Sequence, residues 1–580
     1  MNDETMTLDL KKVKIGIHKA IIECSRRGLL HGTKWLAELN FSLENVEIDP
    51  SIISQASVYD DVDYDRYAMA KCYFDLKEYD RCAFHTEKSQ SKYCKFLHFY
   101  SRFLSIEKKK IDNLTDLNYN TDPGLNSQLQ SLCSELRDIF LARDMDGFCM
   151  YLYGVVLKRL DLHRAALTIL ESAVHEEPLH WGSWLELASL ITDRAKLKML
   201  SLPDHWIKKF FIAHTYLEQQ LNEEALDIYR DLGEQGFSSS NYLLAQSAIA
   251  HHNKREVNTA ILTFRELRKK DPYRLDNLDT LSNLLYVKEM SVDLAFLAHH
   301  ASETDKYRVE TCCVIGNYYS LRGEHQKAVM YFERALKLNP QYLSAWTLMG
   351  HEFMEMKNTH AAIQSYRQAI DVNRRDYRAW YGLGQTYEIL KLPYYCLYYY
   401  KQAQHLRPND SRMLIALGET YEKLDKIQES LKCYYRARCF GDLEGMALLK
   451  LAKLFDKVNE TEQAAAAYTE YVKENYDSQT DNKQEISLAF KYLANYHLKR
   501  NELDEAYEFA FKCLSYEESK EEGKALLKTV TQKRGQEDGE MQVEMQDGST
   551  SMEVQSSRNA RNFSHLRPLT LTFTPSPDGS

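Results

Sequence analysis

The chain holds few residues whose type and order could do chemistry, and each such group is incomplete. Asp61-Val62-Asp63-Tyr64-Asp65 puts carboxylates on alternate residues, as a calcium loop begins. Its sixth position is Arg66, where the sharp turn of such a loop needs glycine. His351-Glu352 opens like a zinc-protease helix, but Glu355 stands where the second histidine is due. His251-His252 and His299-His300 are adjacent pairs; neighbours on a helix point to different sides, and no cysteine pair lies near to complete a metal site. Gly382-Leu383-Gly384 is half a dinucleotide fingerprint without the strand that must precede one. No nucleophile–base set with assignable roles stands out. The expectation is a chain with no catalysis, no metal and no cofactor.

What positions these residues is a repeat. Frames of 34 residues open at Asn241, Leu275, Val309, Leu343, Tyr377, Ser411 and Gly445 without a break in phase. The third reads Ile315-Gly316, Tyr319, Ala328, Phe332, Ala335 and Pro340; the fourth Trp346, Met349-Gly350, Phe353, Ala362, Tyr366 and Ala369; the fifth Trp380, Leu383-Gly384, Tyr387, Tyr400, Ala403 and Pro408. This is the tetratricopeptide pattern, two helices joined by a turn in each repeat. Gly316, Gly350, Gly384 and Gly418 let the second helix approach closely, at a propensity cost of about 1 kcal/mol each against alanine. Large rings fill the space between helices, so Tyr398-Tyr399-Tyr400 and most of the 39 tyrosines are read as core. Pro272, Pro340 and Pro408 end the second helices, because proline lacks the amide and disfavours a helical predecessor. No pair can bury its apolar face alone, so the expected fold is all-α, a superhelical tetratricopeptide-repeat solenoid with a disordered C-terminal tail.

Residues 1–62 form an N-terminal helical segment, and 63–240 hold looser repeats. Gly147 to Pro178 is a good frame; another opens at Trp181 and degenerates around Leu200–Pro203, and Trp206 to Glu234 resumes. The polar run from Lys108-Lys109-Lys110 to Asp122-Pro123-Gly124 reads as an insertion loop near 107–145 with a helix after it. Residues 241–530 are the partner-binding superhelix, with an eight-residue insertion near Asp477–Gln484, and 531–580 a tail of disordered composition. Thr574 and Ser576 precede prolines and are candidate phosphosites. A net charge of −10 with no basic stripe argues against nucleic acid. No apolar run reaches the roughly 18 residues of a membrane span. Met1-Asn2-Asp3-Glu4 does not read as a secretory leader, so the twelve cysteines are expected to be reduced, intracellular core thiols.

The first helix of each pair lines the binding wall of such an array. Helical periodicity puts frame positions 2, 5, 9, 12 and 13 on it. Asp276, Asp279, Glu310, Glu355, Glu388, Glu419 and Glu422 outnumber Arg378, Arg412 and Lys423 there, with Asn283, Asn317, His351, Tyr381 and Gln385 as neutral contacts. That excess should attract a basic peptide. The expected groove is Asn283, Asn317, His351, Glu355, Arg378, Tyr381, Gln385, Glu388 and Glu419. A clamp for a C-terminal carboxylate, as in co-chaperones, is broken by Cys313, Leu348 and Gly382.

Several stretches lie outside the generic repeat signature: His31-Gly32-Thr33-Lys34-Trp35-Leu36, Tyr73-Phe74-Asp75-Leu76-Lys77-Glu78-Tyr79, Leu179-His180-Trp181-Gly182-Ser183-Trp184, and Asp305-Lys306-Tyr307-Arg308-Val309-Glu310-Thr311-Cys312-Cys313. With Asp376-Tyr377-Arg378-Ala379-Trp380-Tyr381 they resemble the anaphase-promoting complex subunit 8 family, from about Asp9 to about Val530 but not in the tail. The resemblance implies a non-catalytic scaffold in a cullin–RING ubiquitin ligase that acts in cell division. It implies a homodimer formed through the N-terminal repeats, a C-terminal superhelix that holds other subunits and the basic N-terminal motif of a coactivator, and a place in nucleus and cytoplasm. The apolar-rich segments Trp35–Leu43 and Trp181–Leu190 are expected to feed the dimer contact. The other reading is a free-standing adaptor for an unrelated basic peptide.

Overall fold

The computed structural model describes residues 8–46, 63–89, 91–115, 123–442, 445–475, 483–516 and 519–544, which are helices and turns with no strand among them. Asn241–Asn253, Val309–Leu321, Leu343–Glu355, Tyr377–Ile389 and Ser411–Lys423 begin at the frame openings read from the sequence. The frame at Leu275 starts late, at Leu278, because Asn277 holds a left-handed backbone at the cap. Each second helix ends two residues before its proline, as at Lys270, Leu338 and Leu406.

The repeat is written into the backbone as well. A positive φ recurs at Arg255, Glu289, Gly323, Lys357, Lys391, Asp425 and Asn459, always in the turn that links the two helices of a frame. One of these seven is glycine. The others accept a strained conformation because the next amide bonds back to the last turn of the helix, as Asn358 N does to Phe353 O and Leu392 N to Tyr387 O. Indoles act in the same way at the following helix start. Trp184, Trp346 and Trp380 each donate Nε1–H to the carbonyl six residues upstream, at 2.7, 2.9 and 2.9 Å.

Glycine spacing sets the distance between paired helices. A Cβ on Gly350 would lie 2.5 Å from the Tyr366 ring, and one on Gly418 would lie 2.5 Å from Tyr434. Gly384 faces Tyr400 and Gly154 faces Leu170 in the same relation. Gly316 is buried in its helix. The fragment Gly382-Leu383-Gly384 is therefore packing: Gly382 receives the other side of the Tyr366 ring.

The helices form two compact units, Met1–Gly323 and Glu324–Ser580. In the first, Trp184, Phe210, Phe211 and Phe237 are fully buried in one core that extends from Val13 to Ala250. Into it fits the hairpin of Leu10–Arg26 and Leu30–Ser42. Trp35 stacks on Trp181 with ring centres 4.5 Å apart, and Phe210 and Tyr242 meet it edge-on. Most of the apolar surplus of these two tryptophan segments is thus buried within one chain, while Phe41 and Leu185 remain exposed. Arg27 is buried between the Phe148 and Tyr93 rings, 4.0 and 4.7 Å from their centres, and pairs with Glu23 and Asp146. The second unit is a run of helix pairs, each packed on the next.

Three expectations change. Lys108–Lys110 belong to the helix Lys92–Thr115 rather than to a loop, because Phe103 and Ile106 bury an apolar stripe that a count of charges hides; the helix expected after the loop is Pro123–Leu141, opening at Pro123 itself, and 116–122 lie outside the described residues. The last helix, Lys520–Glu544, extends past the boundary drawn at 531. Residues 545–580, with Thr574 and Ser576, and most of the insertion at 477–484 lie outside the described residues. Finally, Tyr400 is buried, but Tyr398 is 54% exposed, as are Tyr394 and Tyr395 at 74% and 56%.

Candidate functional site

First helices of successive frames stand side by side in each unit, so their shared side forms a wall. In the first unit Asn317 is buried and donates to Asn283 Oδ1 at 2.7 Å and Ser282 Oγ at 2.8 Å. Its amide nitrogen thus joins the wall of the preceding frame, leaving Asn283 half-buried at the surface. Asp276 is held by Lys34 at 2.6 Å, by Arg308 and by Arg274. Burial opposes its negative charge, but these cations outweigh burial and lower its pKa. Arg274 also reaches Glu38 at 3.3 Å, and Arg308 holds Glu310 at 2.9 Å. The N-terminal hairpin, through Lys34, therefore covers Asp276, an acid expected to be open.

In the second unit the wall carries His351, Glu355, Arg378, Tyr381, Gln385, Glu388 and Glu419. His351 lies 2.8 Å from the Tyr366 hydroxyl. His351 is exposed at its surface, yet the protein packed around its ring, helped by the Arg378 charge, pushes its pKa down to about 4. Arg378 Nε donates to the buried Asp376 at 3.0 Å. Tyr381 and Gln385 are half-buried on the next turns, and burial raises the Tyr381 hydroxyl. Glu355 is exposed at the end of its helix and makes no ion pair among the described residues.

The acids further along are paired. Glu388 accepts from the Tyr400 hydroxyl at 2.8 Å and binds Lys423. Glu419 meets Lys450 at 2.6 Å, and Glu422 meets Lys457. Burial works against the Lys423 charge, but Glu388 overrides it and holds the ammonium above its usual pKa. This ladder repeats because position 12 of one frame reaches position 13 of the next. The 35-residue offset of Glu388 from Lys423 and of Glu422 from Lys457 was its signal in the sequence. A count of acids against bases that ends with the Ser411 frame misses Lys450 and Lys457, which stand in the frame opening at Gly445.

The remaining titratable fragments have structural partners. Asp61 and Val62 lie outside the described residues, while Asp63 accepts from Ser89. Glu352 is buried 2.9 Å from His325 Nδ1, and His251 pairs with Glu256 at 2.7 Å. His300 lies between the Tyr273 and Phe296 rings.

Residues 12–248 match the model of anaphase promoting complex subunit 8 / Cdc23, and 309–342, 347–392 and 446–478 match tetratricopeptide models. The anaphase-promoting complex subunit 8 of Dictyostelium discoideum is 40% identical over 413 residues, 61% of this chain and 69% of that protein. The chain belongs to the anaphase-promoting complex subunit 8/Cdc23 family. The anaphase-promoting complex subunit CDC23 of Saccharomyces cerevisiae is 30% identical over 451 residues, 62% of this chain and 72% of that one. The human cell division cycle protein 23 homolog is 52% identical over 301 residues, 51% of this chain and 50% of the relative. The chain thus spans about half the length of the human relative it matches. The family match covers the hairpin at Trp35 and the Trp181 frame, the stretches that set this chain apart from generic repeats.

Proposed function

We propose that the chain is a non-catalytic scaffold subunit of the anaphase-promoting complex, a ubiquitin ligase, placed in nucleus and cytoplasm and holding neighbouring subunits and a coactivator's basic segment. Family membership carries this reading, and two walls of first helices rich in polar side chains suit it. On the second wall, Glu355 is the acid available to a guanidinium, with His351, Arg378, Tyr381 and Gln385 around it. Arginine can bind a carboxylate through two parallel hydrogen bonds where lysine cannot. Self-association as a two-fold dimer fits the first unit, where Leu30 and Phe41 on the Trp35 helix are 67% and 72% exposed.

Recovery of the tagged full-length chain in a large, stable ubiquitin-ligase particle is the expected result; recovery as a lone dimer would overturn the scaffold reading. Within that particle Glu355→Lys should weaken coactivator binding at least about tenfold while leaving assembly intact. Equal coactivator affinity in Glu355→Lys and wild type would remove Glu355 from the site.

A further inference from the structure

The tyrosine-rich run of the fifth repeat does more than fill a core. From Ile389 to Tyr398 the chain exposes Ile389, Leu390, Leu392, Tyr394, Tyr395 and Tyr398, with the first of these at 60% and Tyr394 at 74%. Ile389 closes the first helix Tyr377–Ile389, Leu390 and Leu392 stand in the linking turn, and the three tyrosines lie on the outward side of the helix Pro393–Leu406. Tyr394 and Tyr398 stand one turn apart on the same side. Tyr395 and Tyr398 are held by neighbouring rings, Tyr398 by Trp380 at 6.5 Å and by Tyr399 at 5.2 Å. Tyr387 stacks on Tyr395 and on Tyr399 at 5.2 Å each, with 18° and 3° between planes, and Trp380 braces Tyr399 at 6.0 Å. Arg367 donates to the Tyr387 hydroxyl at 3.2 Å. An aromatic shelf fixed in this way loses little side-chain entropy when something docks on it. Contiguous exposed apolar surface rimmed by polar groups marks interaction sites.

Charge selects the partner. Residues 389–409 contain Lys391, Lys401, His405 and Arg407 and no acid, in a chain whose net charge is −10. Lys391 and Lys401 border the run in sequence, are exposed, and make no ion pair among the described residues, although Lys401 Nζ lies 5.8 Å from the centre of the Tyr421 ring. We propose that the outward side of the helix Pro393–Leu406, with the turn before it, is a docking surface for an acidic segment of a partner protein that carries apolar anchor residues. The anchors rest on Tyr394, Tyr395 and Tyr398, and its carboxylates meet Lys391 and Lys401. The surface is separate from the wall that carries Glu355.

The test uses the full chain in its native assembly, with a photo-crosslinking amino acid at Tyr394 or Tyr398 and, as control, at the exposed turn residue Lys357. Crosslinked peptides are sequenced by mass spectrometry. The expected result is one recurrent acidic, apolar-containing segment from a single partner, absent at Lys357. Its yield should fall about tenfold in Lys391→Glu/Lys401→Glu, while the thermal unfolding of that variant matches wild type. No crosslink above the control would overturn the proposal. So would a basic segment, nucleic acid, a second copy of this chain, or a yield untouched by the charge reversal. Failure here is distinguishable from failure of the scaffold reading, which is scored by recovery in the ligase particle.

Discussion

At the scale of single residues, the second unit depends on small atoms in fixed places. Tyr366 lies between Gly350 of its own frame and Gly382 of the next. Gly350→Leu drives a side chain into that ring and should cost about 1–3 kcal/mol or more, spread over adjoining frames because each repeat is stabilised by its neighbours. Urea unfolding of the two proteins measures it, and equal midpoints would contradict the packing described. His180 is a second sensitive residue. It is buried against Phe148 and Tyr151, lies 2.7 Å from Ser183 Oγ, and has its pKa pushed down to about 3 by burial and the Arg27 charge. Unfolding lets the imidazole return to about 6.5. Between those values the unfolded chain binds the proton and the folded chain does not, so stability is full above about pH 6.5 and falls as pH drops toward 3. His180→Gln should flatten that acid limb of a stability–pH curve; an unchanged slope would show that other groups set it.

At the scale of elements, the N-terminal hairpin is anchored by the Trp35 ring. Trp35→Ala leaves a void against Trp181, Phe210 and Tyr242, and large-to-small changes of this kind cost about 3–5 kcal/mol. Hydrogen exchange should then rise first in Trp181–Leu190 and Asn241–Asn253, the helices on which the hairpin rests. Exchange confined to Leu30–Ser42 would mean that the hairpin is peripheral. In the turns, a side chain at positive φ costs about 1–2 kcal/mol. Lys357→Gly, at φ 59°, removes that strain but adds freedom to the unfolded chain; the net should be a gain of under about 1 kcal/mol, read by chemical denaturation.

At the scale of the whole molecule, the balance of −10 does not say where negative charge is available. The lysine ladder neutralises Glu388, Glu419 and Glu422, whereas Glu355 is left open. Lys423→Glu/Lys457→Glu should free two of these acids, raise the affinity for an arginine-bearing peptide and make it more salt-sensitive, since exposed charges are screened over about 8–10 Å. Anisotropy titrations at two ionic strengths would test this, and unchanged binding would place the peptide elsewhere on the wall. Glu388→Lys is a poorer probe of binding, because it also strips the acceptor from the Tyr400 hydroxyl.

The period of 34 residues was legible from letters alone, and with it the helix starts, the glycine–ring pairs and the proline stops, because each is a local requirement that recurs at a fixed spacing. Family membership was legible for a similar reason: the Trp35 and Trp181 stretches are specific strings. Exposure was not legible. Tyr400 and Tyr398 are two residues apart in one helix, and only packing decides that one is core and the other surface. Nor could letters say that Asp276 meets Lys34, 242 residues away, or that Asn317 turns its amide into the wall. Local periodicity determines which face of a helix a residue occupies; only the tertiary structure decides what stands opposite that face, and hence whether a charge is spent or available.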